Sequence, residues 1–506
     1  MIARFGRGPR AHGAGGGFGA HRPGSAASAQ RRFKRRLDRR FALYLLGFVL
    51  FVLLMGRLEQ VGLSRRLIGV SFLLATILVY AVIGMACRTA DPVEYYVAGR
   101  RVPAIYNGMA TGADWMSAAS FIGLAGMLYI GGYGGLAFVL GWSGGYCVLA
   151  LFVAPYLRRF GRFTIPDFLG ERYGGNLPRA IGVFGAILCS FAYVVAQIYG
   201  VGLITTRLSG LPFEIGVFAA LGSILLCSFL GGMRAVTWTQ VAQYIVLMVA
   251  YLVPVMWLSV KQTGVPLPQL VYGQQLHKVD AIERRLISDP REHEVIAALS
   301  KRASALGDKL RDVPAALAAD RAAARRKLDA LVASDAPVAQ VQQASRALAA
   351  LPKDSAEAQR VWTAAKAANE ARAAPLAGMP PMAQAFAGDP QGDAAAREQF
   401  DTSRRNFLAL VFCLMMGTAA LPHILVRYYT TPTVRAARES VGWSLLFIAL
   451  LYLSAPALAV LVKYELLSTL LGMPFDRLPT WIAAWAKVDP ALLSVEDLNR
   501  DGVLQW

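Results

Sequence analysis

Apolar runs long enough to cross a bilayer recur along this chain and constrain its fold more than any other feature. They lie near 41–57, 67–87, 106–130, 133–155, 178–206, 213–230, 236–260, 405–428 and 440–463. About 20 apolar residues span the hydrocarbon core. A backbone in lipid must satisfy its own polar groups, which favours helices. The expectation is therefore an all-α polytopic membrane protein with nine spans. Hydrophobic residues make up 56% of the chain and charged residues 17%, whereas soluble domains carry about 25% charged residues. A soluble enzyme does not fit, and the sequence has no nucleophile–base set, P-loop or HExxH motif.

The net charge of +20 raises nucleic acid as a partner, but its distribution points to a lipid bilayer. Residues 1–40 hold eleven Arg or Lys against Asp38 alone and show no hydrophobic period. They read as a disordered basic tail. With this tail inside, the inner short loops carry twelve arginines, among them Arg158, Arg159, Arg234 and Arg427. The outer ones carry four: Arg57, Arg65, Arg66 and Arg207. This asymmetry predicts a cytoplasmic N-terminus in an inner (plasma) membrane. Cys87, Cys147, Cys189, Cys227 and Cys413 lie in or beside apolar runs without CxxC spacing, so no disulfide or zinc framework is expected.

The organisation expected is a tail over 1–40, two peripheral helices over 41–105, and a first five-helix repeat over 106–260. An extracytoplasmic helical insertion follows over 261–404, then two helices over 405–463 and an extracytoplasmic segment over 464–506. Within the insertion, apolar residues recur at helical spacing at Leu299, Ala303, Leu306, Leu310 and Val313, and again from Leu328 to Leu351.

Two spans look interrupted. The first, from Asn107 to Gly123, places Thr111, Asp114, Ser117 and Ser120 among apolar residues, with Gly108 and Gly112 weakening the helix. A carboxylate at membrane depth costs about 2.5–3.5 kcal/mol on insertion scales. An unwound helix there would expose carbonyls to a cation and a dipole end to an anion. Alternatively, Asp114 faces an aqueous loop or pairs with a hydroxyl. In the second, Met416 to Arg427, Pro422 removes a backbone donor, and His423 caps the freed carbonyls, carries a proton or meets substrate. Thr418 lies on the same span. Two broken helices of opposite direction suggest an inverted repeat around a midplane site.

Several stretches resemble the sodium:solute symporter family, most closely its cation–acetate branch. They are Ala98-Gly-Arg-Arg-Val-Pro103, the Ala113-Asp-Trp-Met-Ser117 segment, Phe163-Thr-Ile-Pro-Asp-Phe-Leu-Gly170 and Tyr193-Val-Val-Ala-Gln-Ile-Tyr199. Gly231-Gly-Met-Arg-Ala-Val-Thr-Trp-Thr-Gln240 and Gly417-Thr-Ala-Ala-Leu-Pro-His423 complete the set. The resemblance implies the leucine-transporter-type inverted-repeat fold and Na⁺-coupled uptake of a monocarboxylate such as acetate, propionate or pyruvate. It places sodium on the backbone carbonyls of Ala113 and Met116. Tyr193, Gln197 and Tyr199 would line the same cavity, or pack between helices. The facing hydroxyls of the family's eighth helix would follow residue 506, so the second repeat is expected to be incomplete and the chain truncated. A transporter-like input domain of a sensor kinase is the alternative. The coding sequence beyond residue 506 separates the two.

Near the C-terminus, Asp497, Asn499, Asp501 and Gly502 fit positions 1, 3, 5 and 6 of a calcium loop. Such clusters also make plain turns. No other cofactor is expected, and the sequence leaves oligomeric state and Na⁺ versus H⁺ coupling open.

Overall fold

The structure, a computed structural model, describes residues 23–160, 163–486 and 495–506. These residues form helices, with one isolated antiparallel bridge, Pro474 to Val503. The chain divides into two units. The first comprises Met1–Gln275, Gln384–Val462 and Ala483–Leu493, and the second Leu276–Ala383, Lys463–Ile482 and Ser494–Trp506.

The first unit opens with α1 (Pro23–Gln60) and α2 (Arg65–Ala86). The start of α1 corrects the reading of residues 1–40. Residues 23–40 are helical, Leu37 is 1% exposed, and Asp38 accepts a 2.6 Å hydrogen bond from Tyr106 Oη. Leu37 and Phe41 pack with Tyr106 and Trp238 in one apolar cluster, so the basic side chains there ride on a helix with a buried face. Residues 1–22 lie outside the described residues.

After the short α3 (Pro92–Val97) come α4 (Ala104–Trp115), α5 (Leu124–Gly131), α6 (Leu136–Val148), α7 (Ala154–Phe160) and α8 (Ile165–Tyr173). Two long helices follow, α9 (Asn176–Ser209) and α10 (Phe213–Thr263). Six helices among the described residues are long and apolar enough to cross a membrane, or seven if one bent pair counts as a span. The nine expected runs map onto fewer because neighbours merge. Ala119–Phe160 forms one apolar run of 42 residues, and α10 has 51 residues. At 1.5 Å per residue, each far exceeds the roughly 30 Å of one crossing. Both are broken at glycine, at Gly132 with φ 54° and at Gly232 with φ 51°. A side chain at Gly232 would be strained by that φ, and its Cβ would lie 2.5 Å from the Tyr95 carbonyl.

The first unit resumes with α16 (Ala394–Ala419), α17 (Pro422–Leu425), α18 (Val434–Tyr452) and α19 (Ser454–Thr469), whose last turns belong to the second unit. α6 packs along α16, and α18 along α4. The α6–α16 approach is set by small residues. A Cβ on Gly141 would meet Leu414 Cβ at 2.6 Å, and one on Gly145 would meet the Met415 carbonyl and Thr418 Cβ at 2.7 Å. Small residues four apart let membrane helices come this close.

The second unit takes the end of α11 (Pro268–Ile287), with α12 (Pro290–Lys309), α13 (Val313–Ala333), α14 (Val338–Ala349) and α15 (Ser355–Arg372). Its helical content agrees with the periodicity of the insertion, but its bounds differ. Residues 463–482 and 494–506 fold with it. Val313, Leu317, Ala358 and Trp362 make its core. A fully buried ion pair, Lys463 to Glu283 at 2.6 Å, has 1% exposure on each side chain, and Glu283 also accepts from Met382 N at 2.9 Å.

Candidate functional site

Helix α4 ends among the polar residues. Met116 leaves helical geometry at φ −78°, ψ 63°, and the chain resumes as a π-helical turn over Ala119–Gly123 before α5. Main-chain groups released by such a break need partners, and side chains supply them. Ser120 Oγ donates to the Trp115 carbonyl at 2.7 Å, and Tyr193 Oη donates to that of Asp114 at 3.3 Å. Ala118 N donates to Gln197 Oε1 at 2.8 Å. The second break separates α16 from Pro422, with a bend of 47°. Ile424 N and Leu425 N turn back to the Leu421 carbonyl at 3.2 and 3.1 Å. At the first break side chains take over the freed hydrogen bonds, and at the second, where Pro422 has no N–H to give, main-chain bonds close the turn.

Asp114 joins the two broken elements. Its carboxylate accepts from Arg427 Nε on one oxygen and from Gln240 Nε2 on the other. Arg427 is 2% exposed, and its Nη1 donates to Thr237 Oγ1 at 2.9 Å. Neither the aqueous loop nor the hydroxyl partner envisaged for Asp114 describes it. The partner is a buried guanidinium, and the pair neutralises itself. Two arginines counted as loop charges are thereby reassigned. Arg427 pairs with Asp114, and Arg234, 7% exposed, pairs with Glu94. Nearby, Asn107 Nδ2 donates to Ser440 Oγ at 2.8 Å while its Oδ1 accepts from Thr430 at 2.9 Å. Tyr146 and Tyr428 share a 2.7 Å hydrogen bond.

A cavity of about 200 Å³ opens beside the first break. Asp114, Ser117 and Ser120 line it from one side, and Tyr193 and Gln197 from α9. Thr418 and His423 close it from the second broken helix, while Trp115, Trp142 and Tyr452 give it aromatic walls. The His423 ring lies against that of Tyr193, with centroids 4.7 Å apart and the planes tilted by 30°. Seven of the nine side chains expected around a solute thus share one cavity.

Two do not. Thr111 is fully buried and donates to the Asn107 carbonyl at 2.8 Å. Tyr199 is 56% exposed and lies against Phe213. Six residues past Tyr193, it is turned about 240° round the helix, whereas Gln197 at four residues stays on Tyr193's face. Ala113 sits in the last turn of α4 and Met116 at its cap. Sequence reasoning missed Arg427, Gln240, Thr237 and Asn107. A buried carboxylate calls for a cation, but Arg427 ends an apolar run and reads in the sequence as a loop charge. Thr237 and Gln240, three residues apart, share a helix face.

In the second unit, Gly502 N donates to Asp497 Oδ2 and Val503 N to Asp501 Oδ1, both at 2.9 Å. Asn499 Nδ2 donates to Glu294 at 3.3 Å. Among the described residues, no group of three or more His, Cys, Asp or Glu is arranged to hold a metal ion.

Fold and site together define a multi-pass membrane protein with a small cavity between interrupted helices, in which a few polar side chains face aromatic and apolar walls. Residues 95–297 match the sodium:solute symporter family. An uncharacterized symporter of Cupriavidus necator is 50% identical over 484 residues, covering 94% of this chain and 70% of that one. The uncharacterized symporter YwcA of Bacillus subtilis is 33% identical over 168 residues, 33% of each chain. A solved Na⁺-coupled sialic acid symporter in a substrate-bound outward-open state aligns with a TM-score of 0.43 at 12% identity. That alignment covers 83% of this chain and 65% of the other. The chain belongs to the sodium:solute symporter family.

Proposed function

We propose that this symporter carries a short-chain monocarboxylate, such as acetate, propionate or pyruvate, together with Na⁺ by alternating access. The observation that carries the reading is the cavity itself. At about 200 Å³ it falls below the 300–1,000 Å³ of drug-sized pockets, so it suits a solute of a few heavy atoms. Hydroxyls and an amide line it. Ser117, Ala119 and Ser120 also flank the start of the resumed helix, where partial positive charge favours an anion. The cation's vicinity in this reading is the break, with the carbonyls of Ala113 and Met116 as ligands. Gln240 Oε1, beside Asp114, is buried with no hydrogen-bond partner among the described residues, and a hard cation suits such oxygens. Na⁺ entering a negative interior gains about 2.3 kcal/mol per 100 mV. Without Arg234 and Arg427, ten arginines still face four across the short loops, which supports a cytoplasmic N-terminus in the inner membrane.

The test uses cells expressing the complete gene. Gln197→Ala and Thr418→Ala should raise the half-saturating acetate concentration several-fold at saturating Na⁺. Asp114→Ala should lower uptake or raise the Na⁺ needed for it. Unchanged half-saturation in both cavity variants contradicts the assignment of the cavity to the solute.

A further inference from the structure

Seven of residues 31–40 are Arg or Lys, and residues 1–37 contain no Asp or Glu. The first acid, Asp38, is taken by Tyr106 Oη at 2.6 Å, and the next, Glu59, lies at the far end of α1. Lys34, Arg35, Arg36 and Arg39 are exposed. Like charges four apart, such as Arg35 and Arg39, repel on a helix. This stretch of chain therefore holds cations that its own sequence does not neutralise.

The other side of the same turns is docked. Phe33, Leu37, Phe41 and Tyr44 follow at spacings of four, four and three, and they belong with Tyr106 and Trp238 to one apolar cluster. The Phe41 ring lies 5.4 Å from that of Tyr106 and 6.1 Å from that of Trp238, centroid to centroid. Arg35 and Arg39, two residues to either side of Leu37, are turned about 160° away from it. Docking thus fixes the basic side outward.

The outward stripe continues into the apolar part of α1. Leu43, Leu46, Leu50 and Leu53 follow Arg39 at spacings of four, three, four and three, and all are exposed. One helix face thus presents cations and then an apolar track, the order of headgroup and acyl chain in a phospholipid. The apolar stretch 41–56 rises about 24 Å, less than the roughly 30 Å of hydrocarbon. This places Arg36 and Arg39 at headgroup level, where long basic side chains reach phosphate.

We propose that this face of α1 binds anionic phospholipid, with Arg35, Arg36 and Arg39 on the headgroup phosphate and Leu43, Leu46 and Leu50 along the acyl chain. Lys34 adds to the local positive potential. The choice of leaflet, the cytoplasmic one, rests on the topology proposed above; the binding depends on neither solute nor Na⁺.

The full chain, solubilised in a neutral detergent, is titrated with dansyl-labelled phosphatidylglycerol or phosphatidylcholine, and energy transfer from the native tryptophans is read. Phosphatidylglycerol should saturate at the lower mole fraction. Unlabelled phosphatidylglycerol should displace it, and dissolved glycerol phosphate should not. Each basic residue beside anionic lipid strengthens the attraction about fivefold. Lys34→Gln, Arg35→Gln, Arg36→Gln and Arg39→Gln together should therefore raise the half-saturating fraction at least tenfold. The pair Arg35→Gln and Arg39→Gln should raise it by an intermediate factor, and it carries the test if the fourfold variant fails to fold. Arg325→Gln, Arg326→Gln, Lys327→Gln and Arg346→Gln together remove the same charge from exposed positions of the second unit and should leave it unchanged. Three results overturn the proposal. Equal saturation by the two lipids in the parent would give the face to another protein segment or an acidic partner protein. Equal losses in the two fourfold variants would reduce the effect to net charge. Displacement by glycerol phosphate as readily as by the lipid would make the site one for free phosphate. Acetate uptake is not read, so a failure of the substrate assignment leaves this outcome untouched.

Discussion

Asp114 and Arg427 are the residues on which the two broken helices meet. Removing one member of a buried ion pair strands the other charge and costs about 3–5 kcal/mol, whereas replacing both by apolar groups is often nearly neutral. Asp114→Ala and Arg427→Met should each lower the midpoint of thermal unfolding in detergent, and the double variant should lose much less than their sum. Additive losses would mean that the pair does not act as a unit. The carboxylate was legible in the sequence because a charge inside an apolar run is costly wherever it lies. Its partner was not. Arg427 ends its run, and an arginine at the end of a run reads as a loop charge. Only the fold shows it turned inward.

At the scale of elements, the α6–α16 pair depends on the absence of side chains. A methyl on Gly145 would collide with Met415 and Thr418, and overpacking of this kind costs about 1–3 kcal/mol. Gly417, on α16, has open space around its Cβ position. Gly145→Ala should therefore destabilise the solubilised protein by that amount while Gly417→Ala leaves it equal or firmer, as read by thermal unfolding. Equal losses in the two would refute the close-packing account. The break at Pro422 was legible, since proline has no N–H to give a helix, but Gly108 and Gly112 stay helical within α4, where they let Trp443 and Tyr244 approach, and the break falls at Met116. The helix over residues 23–40 was not, because its sequence offers few apolar side chains and its buried face exists only once Tyr106 and Trp238 are present.

At the scale of the whole molecule, the second unit fastens the C-terminal residues to its helices. Arg302 grips Glu496 with two hydrogen bonds of 2.7 and 2.8 Å. These bonds hold the Glu496 carboxyl below its usual range. A depressed carboxyl adds stability above its unfolded value, about 4.3, and loses that stability as pH falls through the lower folded value. Both side chains are largely exposed, at 46% and 62%, so solvent screening limits the contribution to under about 1 kcal/mol. Proteolysis of the C-terminal segment should quicken as the pH falls below about 4.3, and Glu496→Gln should flatten that dependence. An unaltered pH profile in the variant would assign it to other carboxylates. Periodicity marked the insertion as helical, but pairs such as Lys463–Glu283 join residues 180 positions apart, and no local pattern reveals them.

The central claim is that Na⁺ and a small carboxylate move together through the cavity beside Asp114. The most direct measurement is entry of labelled acetate into proteoliposomes holding the product of the complete gene, with an imposed Na⁺ gradient and no pH gradient. The account predicts accumulation that follows the Na⁺ gradient, collapses when Na⁺ is equal on both sides, and is inhibited by excess propionate or pyruvate. Accumulation of a bulkier solute with no inhibition by any monocarboxylate, or acetate entry indifferent to Na⁺, would contradict it.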